Sequence, residues 1–451
     1  MSVTILSAGT VGGAPTRMAG CGVVITTPRV RWHLGRRALA VGGAAAAAVV
    51  VLVPLLIAWL IDRGRARLVP YVRLGRWGRE FRERRVAFAS PRVQRIAARS
   101  HLDRAPSLLN VLRGEMHLVG PRPLSPGAVD FRDAVARARL DVVPGIVSLA
   151  ALRQRANMLF DREALVEREY VAQATARADL GVLARALVTS VFRPARQDAP
   201  SVVSVLGLDV VNVTTRDAID RIVARVRTPA ATPLRVGFLN AHYANVAMRD
   251  RSYRAALDDV ELLLGDGIGV RLAGMMLGTP VRENVNGTDL FPRLCAALAP
   301  LRARVFLLGA APGVAAAVAA WVQRHHPGVV ICGTQHGYFD DAQQGAVLEA
   351  IRAAAPDIVL VAMGAPRQEV FLSDVAAELD AGVIMGVGGL FDFFSGRIPR
   401  APAWMRELGI EWVFRLWQEP GRMWRRYVLG NAEFIARVGH QRVRRRKGLR
   451  T

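Results

Sequence analysis

Residues 38–61 form an apolar segment that few soluble folds accommodate. They read ALAVGGAAAAAVVVLVPLLIAWLI and include no charged side chain. A helix of this length covers about 30 Å of hydrocarbon, the thickness of a bilayer core. The segment is longer than the apolar region of a signal peptide and lies inside the chain, and no clear cleavage site follows it. We therefore expect a membrane helix here.

The flanks and the interior of this segment leave its path through a membrane open. Arg36 and Arg37 precede it, and Arg63 and Arg65 follow it, so the positive-inside rule gives no orientation. Pro54 removes a backbone donor and kinks a helix, which allows the segment to enter and leave by the same face. Composition alone favours the alternative, an ordinary spanning helix.

Basic residues are concentrated at the two ends of the chain. The 451 residues include 61 Lys and Arg against 37 Asp and Glu, a net charge of +24. Residues 1–200 hold 31 basic and 14 acidic side chains, residues 201–421 hold 20 and 22, and residues 422–451 hold 10 and 1. This distribution suits an anionic membrane surface or nucleic acid better than a uniformly cationic enzyme. Three scattered cysteines argue against a disulfide framework or a zinc site and favour a reducing cytoplasmic location.

Changes in composition along the chain predict its division into segments. A chain of this length is expected to form two or three domains, and a polar, Pro-containing stretch after residue 192 indicates a linker. The predicted segments are a disordered tail (1–35), a membrane-anchored, mostly helical domain (36–192), a linker (193–202), an α/β domain that begins near residue 203, and a disordered closing run (442–450).

Arginines recur at regular spacing after the apolar segment. Arg76, Arg79, Arg82 and Arg85 lie three residues apart. On a helix they would form a stripe suited to phosphate headgroups, and a solvated helix face is the alternative. Further along, the turn GPRP holds Arg122, whose guanidinium can clamp a phosphate in two places.

Strand-like and helix-like runs alternate from residue 201 onward. This βαβ alternation predicts a Rossmann-like parallel sheet with helices on both faces. Ligands of such sheets bind beyond the carboxyl ends of the strands, where Asn240, Gly309, Gly364 and Gly386 are expected. The strand-like runs are VVSVLGL, LRVGFLN, ARVFLLG, GVVICG, DIVLVAMG and AGVIMGVGG.

Two motifs at these strand ends are typical of ligand sites. Asp266 stands between two glycines after an apolar run, where a carboxylate is well placed as a general base, although an Asp-Gly turn residue is the commoner outcome. Gly309 and Gly313 would let backbone N–H groups approach a diphosphate at a helix N-terminus. They fit tight strand–helix packing equally well.

Polar and aromatic residues in the last third of the chain add to the candidate site. Gln368 and Glu369 lie at the start of a predicted helix. Either side chain could cap that helix or form a hydrogen bond to a sugar. Asp392 lies in a glycine-rich stretch. Residues 404–427 hold four of the eight tryptophans interleaved with arginines, a pattern typical of helices in a membrane interface; a nucleic-acid surface is the rival. These patterns indicate a membrane-associated α/β enzyme that binds a phosphate-containing ligand.

Residues 203–428 resemble the WecG/TagA/CpsF glycosyltransferase family over its full length, and residues 429–451 would then be a basic tail. The blocks that match, in order, are LNAH, GDGIGV, NGTDL, FLLGAAPGV, GYF, GAPRQE, GVGGLFDF and RAPAWMRELGIEWVFRLWQEPGRMWRRY. The resemblance implies a metal-independent, inverting transfer of a sugar from a UDP-sugar to a polyprenyl-diphosphate-linked sugar.

The same resemblance implies roles for individual residues. Asp266 would deprotonate the acceptor hydroxyl, Asn240 would position donor or acceptor, and Gln368 would contact substrate. Arginines of a membrane-docking tail would neutralise the leaving UDP. Two positions depart from the family pattern: Phe238 replaces a threonine and Asn284 an arginine. The substrate-binding set inferred for this half is Asn240, Thr288, Asp289, Gly309, Gly313, Gln368, Glu369, Asp392, Arg415, Arg422 and Arg425.

Residues 36–192 resemble, more weakly, the bacterial sugar transferases that move a sugar-1-phosphate onto polyprenyl phosphate. The matching blocks are VRLGRWGREF, LDRAPSLLNVLRGEMHLVGPRPL and PGI. That family uses an Asp-Glu pair with Mg²⁺, whereas this chain has Asp103 followed by Arg104, a cation that repels a metal ion. The resemblance therefore implies a degenerate domain kept as an anchor, with Asp103 and Arg122 as a residual site.

These inferences favour a membrane-bound glycosyltransferase that requires no cofactor, with Mg²⁺ needed only if the N-terminal domain is active. The alternatives are a bifunctional enzyme that also primes the lipid, and a non-catalytic scaffold of a polysaccharide assembly complex. We expect as partners a UDP-sugar, a polyprenyl-diphosphate-linked acceptor and an anionic membrane, but no nucleic acid. A second copy of the chain and other glycan-assembly enzymes are further candidate partners. The expected location is the cytoplasmic face of the bacterial inner membrane.

Overall fold

The computed structural model describes residues 34–100, 102–128, 130–190 and 199–447. The expected disordered tail lies outside these ranges except for its last two residues, and most of the expected linker also lies outside them. The elements of the N-terminal half are α1 (Leu34–Ile61), β1 (Arg67–Leu74), β2 (Glu80–Ala87), α2 (Pro91–Ser100), α3 (Ser107–Arg113), β3 (His117–Val119), α4 (Ala134–Ala138), β4 (Gly145–Val147), α5 (Leu149–Arg155), α6 (Glu163–Gln173) and α7 (Ala176–Thr189).

The long helix α1 contains the predicted apolar segment. By length and composition it is the one helix in the described part of the chain that could cross a membrane. Its middle is exposed: Val49 and Val50 each keep 73% of their surface. Such a patch of large apolar side chains is unfavourable in water, so the helix is suited to lipid.

Both ends of α1 pack on the same domain. Near the N-terminal end, the guanidinium of Arg36 is buried and donates to Asp179 at 2.8 Å. At the C-terminal end, the buried carboxylate of Asp62 accepts the backbone N–H groups of Ala89 and Ser90 at 3.0 and 2.7 Å. Both ends of α1 therefore contact the same folded unit, while the helix runs without interruption through Pro54.

The arginine stripe expected on a helix is not present, because this segment forms a β-hairpin. β1 and β2 pair antiparallel, and Arg82 and Arg85 lie on β2. In a strand, successive side chains point to opposite faces. Phe81 and Glu83 are accordingly buried while Arg82 is exposed. The two-residue alternation of buried and exposed side chains in FRER, which is typical of a strand, therefore describes this segment, and the three-residue spacing of the arginines does not.

The C-terminal half has the α/β architecture that the sequence predicts. Its elements are β5 (Val202–Val205), β6 (Leu208–Val211), α8 (Thr215–Arg227), β7 (Leu234–Leu239), α9 (Ala241–Ala247), α10 (Arg251–Asp258), β8 (Leu262–Gly265), α11 (Gly267–Met276), α12 (Gly287–Leu298), β9 (Arg304–Gly309), α13 (Val314–His325), β10 (Val330–Gln335), α14 (Asp341–Ala353), β11 (Ile358–Ala362), α15 (Arg367–Val375), β12 (Val383–Gly386), α16 (Leu390–Phe394), α17 (Ala403–Glu407), α18 (Glu411–Gln418), α19 (Pro420–Trp424) and α20 (Gly430–Arg446).

Six parallel strands form the central sheet in the order β10-β9-β11-β12-β7-β8. Helices cover both faces, as the alternation along single strands shows: Val305 and Leu307 of β9 join one hydrophobic core, whereas Phe306 and Leu308 join the core on the opposite face. Burial of each such side chain contributes about 1.5–3 kcal/mol. The predicted strand VVSVLGL lies outside this sheet, because Gly207 at φ 77° turns it back into the hairpin β5–β6.

The expectation of a disordered closing run is wrong as far as Arg446, because α20 continues to that residue. Phe434 and Val438 are completely buried against α9 and α11. The Gln441 side chain accepts the backbone N–H of Leu206 at 3.0 Å. Apolar contacts every four residues thus hold a helix that its charge pattern alone did not indicate.

Candidate active site

The carboxyl ends of β7 and β8 bring Asn240 and Asp266 together. These strands are neighbours, and the backbone N–H of Asp266 donates to the carbonyl of Leu239 at 2.8 Å. The Asn240 side chain accepts the N–H of Tyr243 and caps α9. Asp266 precedes α11 but makes no capping bond, so its carboxylate is available to a ligand.

The surroundings of Asp266 favour proton exchange near neutral pH. The pKa of the Asp266 carboxyl is raised to about 7: burial is the main cause and the negative charge of Glu411 adds to it, while the guanidinium groups of Arg426 and Arg415 oppose the rise. A carboxyl with a pKa near the working pH is suited to take and return a proton. An ordinary Asp-Gly turn residue is exposed and does not show this shift.

Asn284, one of the two residues that depart from the family pattern, supports the turn that contains Asp266. The Asn284 side-chain oxygen accepts the backbone N–H of Gly267 at 2.5 Å, next to Asp266. Phe238 is buried under the start of α12, with its ring close to Gly287. Neither departure removes Asp266 from the strand end.

A network of ionic contacts connects α12 with α18. Asn286 caps α12 and accepts both the Thr288 hydroxyl and the Asp289 backbone N–H at 2.8 Å. The Asp289 carboxylate lies 2.7 Å from an Arg400 nitrogen. Arg400 also reaches Glu411 at 3.8 Å. Thr288 and Asp289 therefore lie at the start of α12, and Asp289 is bound through Arg400 to Glu411 and adds to the negative charge around Asp266.

The glycine turn after β9 is forced by backbone packing. Gly309 has φ 130°, and a Cβ atom there would lie 2.4 Å from the carbonyl oxygen of Ala362. Gly313 has φ 84° and precedes α13, where open space surrounds it. Close strand packing explains Gly309. The open N-terminus of α13 remains able to receive a phosphate group.

Gln368 and Glu369 are buried side by side behind the strand ends. The Gln368 side chain accepts the N–H of Gly388 at 2.8 Å and donates to Glu369 at 2.8 Å. Burial raises the pKa of Glu369 to about 7. Its second oxygen has no hydrogen-bond partner among the residues described, so this carboxyl can hold a proton or bond a hydroxyl group. Burial raises the pKa values of Tyr243 and Tyr253, and the negative charge of Glu369 adds to the rise.

The C-terminal arginines lie in different places. Arg415 on α18 stacks over Phe393 at 5.1 Å and influences Asp266. Arg425 is exposed and stacks over Trp424 at 5.5 Å. Arg422 belongs to α19, and its side chain lies outside the described part of the structure. Asp392 is half-buried near Arg397, at 4.0 Å.

Sequence reasoning missed two charged groups of this site, Arg426 and Glu411. Arg426 lies over the Tyr243 ring at 5.8 Å and lowers the pKa of Asp266. Its Nε atom is buried without a hydrogen-bond partner among the described residues. The segment Arg425–Leu429 is a π-helix, which shifts the residue facing the site by one position. A π-helix carries no sequence signal that distinguishes Arg425 from Arg426.

Cations surround Asp103, the residual-site residue of the N-terminal domain. Asp103 lies in a short 3₁₀ helix, and the next residue is the partly buried Arg104. The buried Glu83 nearby is already paired with Arg73 and Arg85 at 3.1 and 3.0 Å. No group of three or more His, Cys, Asp or Glu able to hold a metal occurs among the residues that the structure describes. One oxygen of Asp103 is buried without a hydrogen-bond partner among the described residues, and the neighbouring Arg104 cation opposes a metal ion at this oxygen.

Two further features of the N-terminal domain could bind a phosphate group: Arg122 and a basic cavity. Arg122 is partly exposed and lies 3.6 Å from Glu163. A cavity of about 520 Å³ lies beside the N-terminal half of α1. Its lining combines guanidinium groups with an apolar floor, and includes Arg37, Arg76, Arg79, Arg113, Ala40 and Phe81.

Two family models match the chain. Residues 203–448 match the Glycosyl transferase WecG/TagA/CpsF family, and residues 33–193 match the Bacterial sugar transferase family. The first match covers more than half of the chain and extends past the expected boundary at residue 428 to include the whole of α20.

The chain is also similar to two curated proteins named N-acetylglucosaminyldiphosphoundecaprenol N-acetyl-beta-D-mannosaminyltransferase. The one from Bacillus spizizenii is 37% identical over 197 residues, which are 44% of this chain and 76% of that protein. The one from Bacillus subtilis (strain 168) is 35% identical over 193 residues, which are 43% of this chain and 74% of that protein.

Proposed function

The chain belongs to the Glycosyl transferase WecG/TagA/CpsF family, and we propose that it moves a sugar from a UDP-sugar to a polyprenyl-diphosphate-linked sugar with inversion at the anomeric carbon. The observation that carries this proposal is the Asp266 carboxyl, at the carboxyl end of β8 with a pKa of about 7. Asn240 adjoins it on the neighbouring strand.

In this mechanism Asp266 takes the proton from the acceptor hydroxyl. The hydroxyl oxygen forms a bond to the anomeric carbon as the bond between that carbon and the UDP oxygen breaks. UDP leaves with the electron pair, on the opposite face of the sugar. Arg415 and Arg426 provide positive charge beside Asp266, and this charge stabilises the departing diphosphate without a metal ion.

The names of the two Bacillus relatives suggest the substrates. Both transfer an N-acetyl-β-D-mannosaminyl group to N-acetylglucosaminyldiphosphoundecaprenol according to their names. We extend this to an N-acetylhexosaminyl donor and a GlcNAc-diphosphate-polyprenol acceptor in this chain. Such a product belongs to exopolysaccharide, capsule or teichoic-acid-type glycan synthesis.

We propose a location at the cytoplasmic face of the bacterial inner membrane, because UDP-sugars are cytoplasmic and the apolar helix α1 supports membrane association. Both ends of α1 contact one domain, and we propose that the helix bends at Pro54, so that its exposed middle enters the bilayer and returns by the same face. Trp404, Trp417 and Trp424 expose 49, 78 and 44% of their surface, and such side chains favour the membrane interface. In this arrangement the N-terminal domain is an anchor, and its basic cavity would hold a lipid phosphate.

A radiolabel transfer assay on membranes tests the proposal. It uses a panel of UDP-sugars with polyprenyl phosphate or GlcNAc-diphosphate-polyprenol, and compares the unaltered chain with Asp266→Asn and Asp103→Ala. We expect transfer only to the diphosphate-linked acceptor, lost in Asp266→Asn and kept in Asp103→Ala. Label on polyprenyl phosphate that disappears with Asp103→Ala would establish a bifunctional enzyme, and absence of transfer from every donor would favour a scaffold.

A further inference from the structure

The two halves of the molecule meet through buried charged groups. The Glu407 side chain, on α17 of the C-terminal half, is completely buried. One of its oxygens accepts a hydrogen bond from Arg153 of α5 at 2.9 Å, and the other accepts one from Arg185 of α7. Arg153 also makes two bonds of 2.6 Å to Glu169. A carboxylate buried to this extent requires such partners.

A second contact joins the N-terminal half to α11. The buried guanidinium of Arg271 donates to the backbone carbonyl of Arg155, at the end of α5. Nearby, Arg293 of α12 donates to Asp161 at 2.8 Å. The residues that follow Asp266 and Asn286 in the chain are thus attached to the N-terminal domain as well as to their own sheet.

Glu407 is structurally connected to the reacting carboxylate. Gly409, two residues beyond it, lies so close to Ile268 that a Cβ atom would be 2.9 Å from the Ile268 side chain. Ile268 is the second residue of α11, the helix that begins directly after Asp266. Glu411 and Arg415, which influence Asp266, lie on α18, the next helix after α17.

We propose that the N-terminal domain positions the glycosyltransferase site, and that Arg153 and Arg185 are positioning residues that act on it through Glu407. They hold α17, so that α18 presents Glu411 and Arg415 to Asp266, while Arg155 holds α11 through Arg271. The N-terminal half is then required for transfer even with no chemistry of its own. This inference rests on the proposed function.

The test compares full-length variants reconstituted in lipid nanodiscs. Arg153→Ala removes the central cation, and Arg185→Gln removes one of the two cations and leaves Glu407 paired with Arg153. Arg185→Lys retains the charge. Arg177→Gln, an exposed position on the same helix α7, is the matched control. Each variant is assayed for kcat, for donor KM and for amide hydrogen exchange.

In Arg153→Ala we expect at least a tenfold faster exchange in residues 403–418, with unchanged exchange in the core strands β9 and β11. A tenfold or greater loss of kcat/KM for the donor should accompany it. Arg185→Gln should show both effects to a smaller extent, and Arg185→Lys should restore values close to those of the Arg177→Gln control.

Two results would overturn the inference. One is unaltered exchange at 403–418 in both Arg153→Ala and Arg185→Gln; the other is faster exchange with unaltered kcat and KM. If Arg153→Ala does not fold, the comparison of Arg185→Gln with Arg185→Lys tests the inference by the same two measurements, exchange at 403–418 and the kinetic constants. A chain that transfers no sugar before any substitution disproves the proposed function instead, and exchange at 266–276 and 403–418 then still shows whether the N-terminal domain holds these segments.

Discussion

At the scale of single residues, the chemistry depends on how burial and neighbouring charges alter a carboxyl group. Asp266 and Glu369 each have a pKa raised to about 7, with burial as the main cause. The two differ in their partners, because Asp266 faces charged groups of α18 and the π-helix, whereas Glu369 bonds Gln368. We therefore assign the proton transfer to Asp266.

The pH dependence of transfer follows from this assignment. A general base works in its deprotonated form, so the rate should rise with pH and level off above about pH 7. The negative charge of Glu411 raises the pKa of Asp266, so Glu411→Gln should move this rise to lower pH. The measurement is kcat/KM between pH 5 and 9. A profile that does not move in Glu411→Gln would argue against Asp266 as the titrating base.

Asp266→Asn keeps the shape of the side chain but removes the base. Loss of a general base lowers a rate by about 10²–10⁴-fold, and we expect this loss in kcat with little change in stability. Asp250→Asn is the matched control, because Asp250 caps α10 away from the strand ends. Equal activities in the two variants would contradict the mechanism.

The two glycines of the β9 turn provide a paired test of stability. Gly309→Ala places a methyl group 2.4 Å from the Ala362 carbonyl oxygen at φ 130°, and strain of this kind costs about 1–3 kcal/mol beyond any clash. Gly313→Ala meets open space at φ 84° and should cost about 1–2 kcal/mol. Chemical denaturation in detergent measures both; a larger loss in Gly313→Ala would contradict the packing argument.

At the scale of elements, α20 is the helix whose role is clearest from packing. The tail that follows the site is strongly basic, yet Phe434 and Val438 bury one face of it against α9 and α11. α9 begins beside Asn240 and α11 beside Asp266. The helix therefore supports the two strand ends from behind.

Phe434→Ala should weaken the packing of α20 against α9 and α11. Truncation of a fully buried phenylalanine costs about 3–5 kcal/mol, and we expect a loss of that size in the free energy of unfolding. Val443→Ala, at an exposed position of the same helix, should change it by less than about 0.5 kcal/mol. Denaturation curves measure the free energy of unfolding of both variants. Similar losses in Phe434→Ala and Val443→Ala would show that α20 does not pack as described.

At the scale of the whole molecule, the anchor, the interface and the site form one arrangement. Helix α1 is held at both ends by the N-terminal domain, which in turn contacts α17 and α11 of the C-terminal half. A site fixed near the bilayer would meet a lipid-linked acceptor at the membrane surface.

The path of α1 is open to a direct test. Arg37 and Arg63 are exposed at its two ends; we expect Arg37→Cys and Arg63→Cys to react with a membrane-impermeant maleimide from the cytoplasmic side only. Right-side-out and inside-out vesicles, each compared with the unaltered chain, provide the measurement. Labelling of the two positions from opposite sides would establish a spanning helix.

Hydrophobic periodicity and glycine turns are local properties of a chain, and they were sufficient to predict the parallel sheet, the apolar helix and the location of Asn240 and Asp266 at strand ends. The sequence by itself did not determine the hairpin that contains Arg82, the packed helix α20, or the choice of Arg426 over Arg425, since these depend on which surfaces meet. Only the tertiary structure shows that Glu411 approaches Asp266 and that Arg153 and Arg185 enclose Glu407. Contacts between residues as distant in the chain as 153 and 407 are made by packing, and no short-range pattern encodes them.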